Sequence, residues 1–287
     1  MFDLQLLILA LSLGMLYFLL ASGFSLIFGL MKILNYAHAS LFMWGGYLTW
    51  WFNTLTGSFV LAIFLAMVAV VLIGVLMEVC LIRNIRGRRE NQILLAFGMI
   101  FVFDELVKIA FGTRAISPTR PPYLSGNMEL FGIELPIFRV LIIIIGIVVF
   151  IVVTLLIHKT KLGMTITAGT ERPHMVRAVG INIRQVFTLT FALGCALAAL
   201  GGGLSAFFLG LHPGLALDQL FNMLIIVVIG GIGSFSGSFV AALLLALLEY
   251  FVGIYLPGFS MVASMVFMLA VLIIKPQGLL VRKGAMQ

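Results

Sequence analysis

The stretch Val140-Leu-Ile-Ile-Ile-Ile-Gly146-Ile-Val-Val-Phe150-Ile-Val-Val-Thr154-Leu-Leu-Ile157 decides the class of this protein. It carries no charge and no turn signal. A helix needs about 20 apolar residues to cross the hydrocarbon core of a bilayer. A strand of a membrane barrel shows only about ten, alternating in polarity. An unbroken run of this length therefore reads as a membrane-spanning helix and excludes a barrel. Working outward, eight further stretches read the same way: 4–31, 36–52, 59–82, 93–111, 186–209, 220–232, 239–256 and 259–274, with 137–157 completing the nine. Two are short and the first is long enough to contain a break, so eight to ten crossings are expected. The predicted fold is all-α, a polytopic transmembrane helical bundle with Gly-interrupted or re-entrant helices, in a single domain over 1–287.

Composition agrees. Of the 287 residues, 63% are hydrophobic and 9% charged, against roughly a quarter charged in soluble domains. The net charge of +7 points to membrane topology rather than to nucleic acid, because basic residues collect in cytoplasmic loops. Lys32, the group Arg83, Arg86, Arg88 and Arg89, the group Lys159, Lys161, Arg172, Arg177 and Arg184, and Lys275, Arg282 and Lys283 fall on one side: thirteen of the 17 basic residues. That side is expected to be cytoplasmic, with the N-terminus outside and the C-terminus inside. No basic leader or cleavage site precedes the first span, which is expected to remain in the mature protein. Cys80 and Cys195 stand alone in apolar surroundings and read as structural thiols, with no metal centre.

Two polar loops interrupt the apolar pattern. Residues 112–136, with Pro118, Pro121, Pro122 and Gly126, form an extracytoplasmic loop suited to docking. Residues 158–184 form the longest cytoplasmic loop. It reads as one short amphipathic helix, with Met175, Val176 and Val179 as an apolar stripe, Thr170 as cap and Pro173 in the first turn. No GxxxxGK[ST], HExxH or GxSxG motif occurs. The chain is thus read as no enzyme, with no cofactor, and energy for transport must come from an ion gradient or a partner.

Ionisable groups inside spans are functional candidates by default. Asp104 and Glu105 have Lys108 at helical spacing and read as an intrahelical pair. Glu78, one turn from Arg83, reads as a helix-end residue. Glu249 has no cation near it in sequence and either faces a polar partner or binds a proton. Asn35 and His38 lie in a break after the first span. Gly230, Gly231, Gly233, Ser234 and Gly237 lie in a second break. Such interruptions mark either close helix packing or a substrate pathway. Asn35, His38, Gly231, Gly233, Ser234 and Glu249 are the candidate pathway residues.

Four segments, in order, carry a resemblance. Gly29-Leu-Met-Lys-Ile-Leu-Asn35-Tyr-Ala-His38 resembles the signature near the start of branched-chain amino-acid ABC transporter permeases. Lys161-Leu-Gly163 with Arg177-Ala-Val-Gly180-Ile-Asn182 resembles their cytoplasmic loop. Gly230-Gly-Ile-Gly233-Ser234-Phe-Ser-Gly237 is similar to their GG-x-GS-x-x-G motif, and Pro276-Gln-Gly278-Leu to their closing P-x-G-L. The match covers essentially the whole chain and suggests the LivH-type member of a permease pair. Departures are Ala39 where the family usually has glycine, Thr167 before Ala168, and Ala241 in place of a common glycine.

The resemblance implies a mechanism. A second permease chain, LivM-like, completes the pathway, two ABC ATPase subunits hydrolyse ATP, and an extracytoplasmic solute-binding protein delivers the solute. The 158–184 loop then holds the coupling helix, with Glu171, Arg172, His174, Arg177, Ala178 and Gly180 at the ATPase contact. Implied solutes are branched-chain amino acids, or urea, amides and organic or aromatic acids. The membrane is then the bacterial-type cytoplasmic membrane. An ion-coupled secondary transporter using Asp104, Glu105 and Glu249 stands as the alternative.

Overall fold

The computed structural model describes residues 2–31, 35–85, 89–130, 133–171, 173–178 and 180–280. Eleven α-helices are present among them: α1 (Phe2–Met31), α2 (His38–Thr56), α3 (Phe59–Cys80), α4 (Arg89–Phe111), α5 (Ile137–Lys159), α6 (Lys161–Glu171), α7 (Pro173–Ala178), α8 (Ile183–Leu209), α9 (Leu215–Gly230), α10 (Phe235–Tyr255) and α11 (Ser260–Ile274). Each of the nine apolar stretches read from the sequence coincides with one of them. The remaining two, α6 and α7, fall in the polar 158–184 loop. The five spans Leu4–Gly29, Phe59–Ile85, Ile137–Lys159, Ile183–Leu209 and Phe235–Tyr255 are long and apolar enough to cross a bilayer on their own, and α9 and α11 are shorter apolar helices.

Helices α1, α2 and α8 form the centre. From Met15 to Ile27, α1 is buried at every position. Small residues let these helices meet backbone to backbone. Gly45 lies against Ala199, and a side chain on Gly202 would collide with the Phe42 carbonyl. Phe18 of α1 fills the space toward α5 and α10, with ring centroids 6.0 Å from Phe150, 5.4 Å from Phe235 and 5.1 Å from Phe239.

The periphery is one-sided. On α3, Phe59, Ala62, Ala66, Val70, Gly74 and Met77 are buried, while Val60, Phe64, Val68, Leu72 and Leu76 are exposed. Steps of three and four residues place the first set on one helical face. The exposed apolar rims of α3, α5 and α11 would be aggregation surfaces in water. They fit a chain whose solvent is lipid, and the molecule is a multi-pass membrane protein.

Between α4 and α5 the chain forms an antiparallel hairpin, β1 (Asn127–Leu130) and β2 (Ile133–Pro136), with Met128 opposite Leu135. Before it, Ile116 and Leu211 exchange backbone hydrogen bonds of 2.7 and 2.8 Å, and Arg120 donates to the Phe207 carbonyl at 3.1 Å. The 112–136 loop is thereby tied to the end of α8.

Candidate functional site

The two interrupted spans meet. Four residues separate α9 from α10. Gly231 and Gly233 have φ of 97° and 83°, a region that side-chain-bearing L-residues rarely adopt. Ser234 then caps α10, its hydroxyl accepting from the Gly237 N–H at 3.1 Å. Gly29, near the end of α1, packs directly on this turn: a methyl on Gly29 would lie 2.9 Å from the Gly233 carbonyl oxygen, and one on Gly233 would lie 2.7 Å from the Gly29 Cα. The Pro276–Leu280 tail closes the same site. Leu279 and Leu280 donate backbone N–H groups to the Ile229 and Gly230 carbonyls at 2.8 and 3.3 Å. These are among the last α9 carbonyls, which a helix end leaves without internal partners.

His38 and Asn35 flank the first break. The His38 N–H donates to the Asn35 carbonyl at 3.0 Å, opening α2. The His38 ring is fully buried against Gly23. Six residues separate Gly23 from Gly29, about 9 Å along α1. The Leu20 carbonyl faces the ring without a well-formed hydrogen bond. Asn35 lines a small cavity with Met77, Ile82, Gln92, Leu95 and Met99. Its Nδ2, both His38 ring nitrogens and the hydroxyls of Ser25 and Ser40 are buried, with no well-formed hydrogen bond among the described residues.

Glu249 is placed apart from the other candidate pathway residues. Fifteen residues along α10 separate it from Ser234, about 22 Å. Its carboxylate accepts from the Tyr17 hydroxyl at 2.6 Å and from the Ser264 hydroxyl at 2.7 Å. Tyr17 in turn accepts from the Asn222 amide at 3.1 Å. One carboxylate thus ties α1, α9, α10 and α11 together, and no cation pairs with it among the described residues. Asp104 and Glu105 form the expected pair with Lys108, at 2.9 and 2.7 Å, and Asp104 also accepts from the Gly214 N–H at 2.5 Å. Glu78 is fully buried at its helix end, paired with Arg83 at 2.9 Å, and both groups bond the Thr188 hydroxyl of α8.

The 158–184 loop departs from the expected single helix. It holds two, α6 and α7, and Thr170 lies inside α6 rather than capping α7. The physical reason is local. Thr160 leaves the helical region after α5, and its hydroxyl accepts from the Gly163 N–H at 3.1 Å, starting a new helix. A side chain at Gly163 would strike the Ile157 and Leu156 carbonyls. The expected stripe also splits: Val176 is buried and Met175 exposed, and Val179 lies outside the described residues. The Ala-Val-Gly-Ile-Asn run has a mechanical meaning. Gly180 takes φ of 82°, and the Ile181 N–H reaches back to the Val176 carbonyl at 3.2 Å, a glycine helix stop. Asn182 then caps α8, accepting from the Arg184 N–H at 3.1 Å. Ala178 and Gly180 are exposed. Arg172 lies outside the described residues. Glu171, His174 and Arg177 sit in α6 and α7, with side chains outside the described ones.

Residues 6–275 match the family model for the permease component of branched-chain amino acid transport systems. The chain belongs to this family. It is 28% identical to the high-affinity branched-chain amino acid transport permease BraD of Pseudomonas aeruginosa, over 97% of this chain and 96% of that one. It is likewise 28% identical to LivH of Escherichia coli K12, over 94% and 93%. A probable LivH of Methanocaldococcus jannaschii is 24% identical over 65% of this chain and 60% of its own. No solved structure matches. The family is one of transport components rather than enzymes.

For a permease component of this kind, sequence reading missed the partners more than the sites. Tyr17, Asn222 and Ser264 are ordinary residues within apolar runs, and nothing local joins them to Glu249. Thr160 and Asn182 were legible in principle, since a hydroxyl or amide residue just before a helix is a capping signal.

Proposed function

We propose that this chain is a transmembrane permease subunit of an ATP-driven importer in a bacterial-type cytoplasmic membrane, working with a second permease chain, two ABC ATPase subunits and an extracytoplasmic binding protein. The solute is a branched-chain or related amino acid. The N-terminus faces outward and the C-terminus inward, as the basic residues distribute. One observation carries the reading: the breaks α1–α2 and α9–α10 meet at Gly29 and Gly233, near the end of the bundle where α6 packs against α1 and α8. A pathway closed by touching glycine backbones thus lies beside a loop that can receive a push. The 158–184 loop is the coupling element, with Glu171, Arg172, His174, Arg177, Ala178 and Gly180 at the ATPase. Asn35, His38, Gly231, Gly233 and Ser234 belong to the inner end of the pathway. Glu249 acts as the junction of four spans. The pairing of Asp104 and Glu105 with Lys108 disfavours them as proton-coupling groups.

Co-purification in mild detergent tests this directly. ATPase subunits and a second permease should accompany the tagged chain, and leucine uptake into proteoliposomes should require ATP. Isolation of the chain alone in several detergents, with uptake driven by an ion gradient, would reject it. A C-terminal reporter active only outside the cytoplasm would reject the orientation.

A further inference from the structure

At the end of the bundle that carries the 158–184 loop, α3 gives way to a tight 3-10 turn, Ile82–Ile85, before α4 begins. Arg83 in this turn and Glu78 near the end of α3 close a triangle with Thr188 of α8. The Arg83 Nη2 lies 2.9 Å from the Glu78 carboxylate and donates to the Thr188 hydroxyl at 2.8 Å. That hydroxyl donates in turn to the same Glu78 oxygen at 2.9 Å. A single hydroxyl can accept from one group and donate to another at once, so all three contacts hold together. The Glu78 side chain is fully buried and that of Arg83 is 29% exposed.

Thr188 stands five residues into α8, about 8 Å from its start. Helix α8 is the one that leaves the 158–184 loop, at the Gly180 stop and the Asn182 cap. The triangle therefore fastens the root of the loop to the 82–85 turn. The same turn reaches the first break. Ile82 and Ile85 line the small cavity that Asn35 and Gln92 also line, and the Gln92 amide donates to the Ile85 carbonyl at 3.3 Å. Asn35 is the residue whose carbonyl accepts the His38 N–H and opens α2. One short turn thus touches both α8 and the start of α2. The cavity leaves it room to shift, where close-packed atoms would resist. Separating a buried charge pair is strongly unfavourable, so Arg83 and Glu78 shift as a unit.

We infer that Thr188 and Arg83 are positioning residues of the import cycle. Movement of the 158–184 loop tilts the first turns of α8. The Thr188 hydroxyl passes that tilt to the Arg83–Glu78 pair, and the 82–85 turn passes it to the Asn35–His38 break. This route is separate from the Gly29–Gly233 contact and reaches the other break. It sets a chemical requirement at position 188, a side chain that both accepts and donates a hydrogen bond. Serine meets it. Valine is close in shape and does neither. The inference rests on the import reading, in which the loop receives the push.

The test compares Thr188→Val and Thr188→Ser with wild type in the assembled transporter. Thr188→Val leaves the Arg83–Glu78 pair in place, so it removes the link and keeps the charges matched. The first measurement is amide hydrogen exchange in detergent without ATP. Thr188→Val should speed exchange at His38, Ala39 and Ser40, which open α2, and leave Ala241 and Ala242 of α10 unchanged. Thr188→Ser should match wild type. The second is leucine taken up per ATP hydrolysed in proteoliposomes. Thr188→Val should lower this ratio by about three- to tenfold with ATP hydrolysis near the wild-type rate, and Thr188→Ser should restore it. A hydroxyl that only held the fold would lower uptake and hydrolysis together and leave the ratio alone. Unchanged exchange at 38–40 overturns the link. Faster exchange with an unchanged ratio overturns the role in import. If Thr188→Val does not assemble, Arg83→Lys, which keeps the charge and loses the fixed guanidinium fork, is read by the same two criteria. If the wild type shows no ATP-dependent leucine uptake, the import reading is what fails, and the link between α8 and the break stands or falls on the exchange result.

Discussion

Replacing Gly233 with alanine should damage the closure of the two breaks. Two effects add. Gly233 has φ of 83°, and a side chain in a left-handed conformation costs about 1–2 kcal/mol. The new methyl would also lie 2.7 Å from the Gly29 Cα, whereas comfortable carbon contacts begin near about 3.5 Å. Backbone stands on the other side, so nothing flexible can yield, and α1 must move by close to an ångström. Overpacking of that kind costs about 1–3 kcal/mol. Together they remove roughly 2–5 kcal/mol from a fold whose total stability is of the order of 5–15 kcal/mol. For a chain of this size that corresponds to a melting temperature lower by roughly 5–20 °C. The assay is thermal unfolding in detergent, with two controls. Ser234→Ala removes only a helix cap, about 1 kcal/mol, and should shift melting by a few degrees. Gly98→Ala, where a methyl meets open space, should not lower it. A Gly233→Ala protein that melts within about 2 °C of wild type would refute the claim that the breaks touch.

Three further outcomes rest on the same geometry. Glu249→Leu should destabilise by about 1–3 kcal/mol, since it leaves the Tyr17 hydroxyl buried without its acceptor while the Ser264 hydroxyl can turn to the Ser260 carbonyl at 2.9 Å, and Glu249→Gln, which keeps an acceptor, should cost less. A double-mutant cycle with Tyr17→Phe measures the coupling, and strict additivity would show that the bond is not made. On the proposed function, Ala178→Pro and Arg172→Glu should leave melting nearly unchanged yet abolish ATP-driven uptake in proteoliposomes; full uptake by both would remove the 158–184 loop from the coupling role. Gly278→Val should loosen the tail from α9, because a side chain there would meet the Gly231 backbone. Faster amide exchange at Leu279 and Leu280 is the readout, and unchanged protection would show that the tail bonds are not formed.

The spans were legible because an apolar run in a chain with few charges leaves little else for the backbone to do. The breaks were legible too, since Gly29, Lys32, Asn35 and His38 interrupt one otherwise continuous run, and the glycines and serines of 230–237 another. The contact between them was not, because Gly29 and Gly233 lie some 200 residues apart and neither carries a side chain to signal a partner. Glu249 was legible as an anomaly, but its partners Tyr17 and Ser264 were not, since position along one helix says nothing about which other helices converge on it. Helix α6 escaped because its start depends on Thr160 turning the chain after α5, a backbone choice made by one hydroxyl. Asp104 shows only Lys108 at helical spacing in the sequence, although its second partner is the Gly214 N–H of another span.

The arrangement also explains why the family motifs occur where they do. Gly180 and Asn182 do not need to touch an ATPase to be required. The first ends α7 and the second begins α8, so they fix the angle at which the loop leaves a central helix. Helix α6 rests on α1, and α1 ends on the Gly233 turn. A displacement of the loop would therefore reach the α9–α10 break through one rigid helix and one backbone contact. On the proposed function, glycine at that contact serves transmission: two backbones in direct touch, with no side chain between them to change rotamer, pass on movement that a flexible interface would absorb.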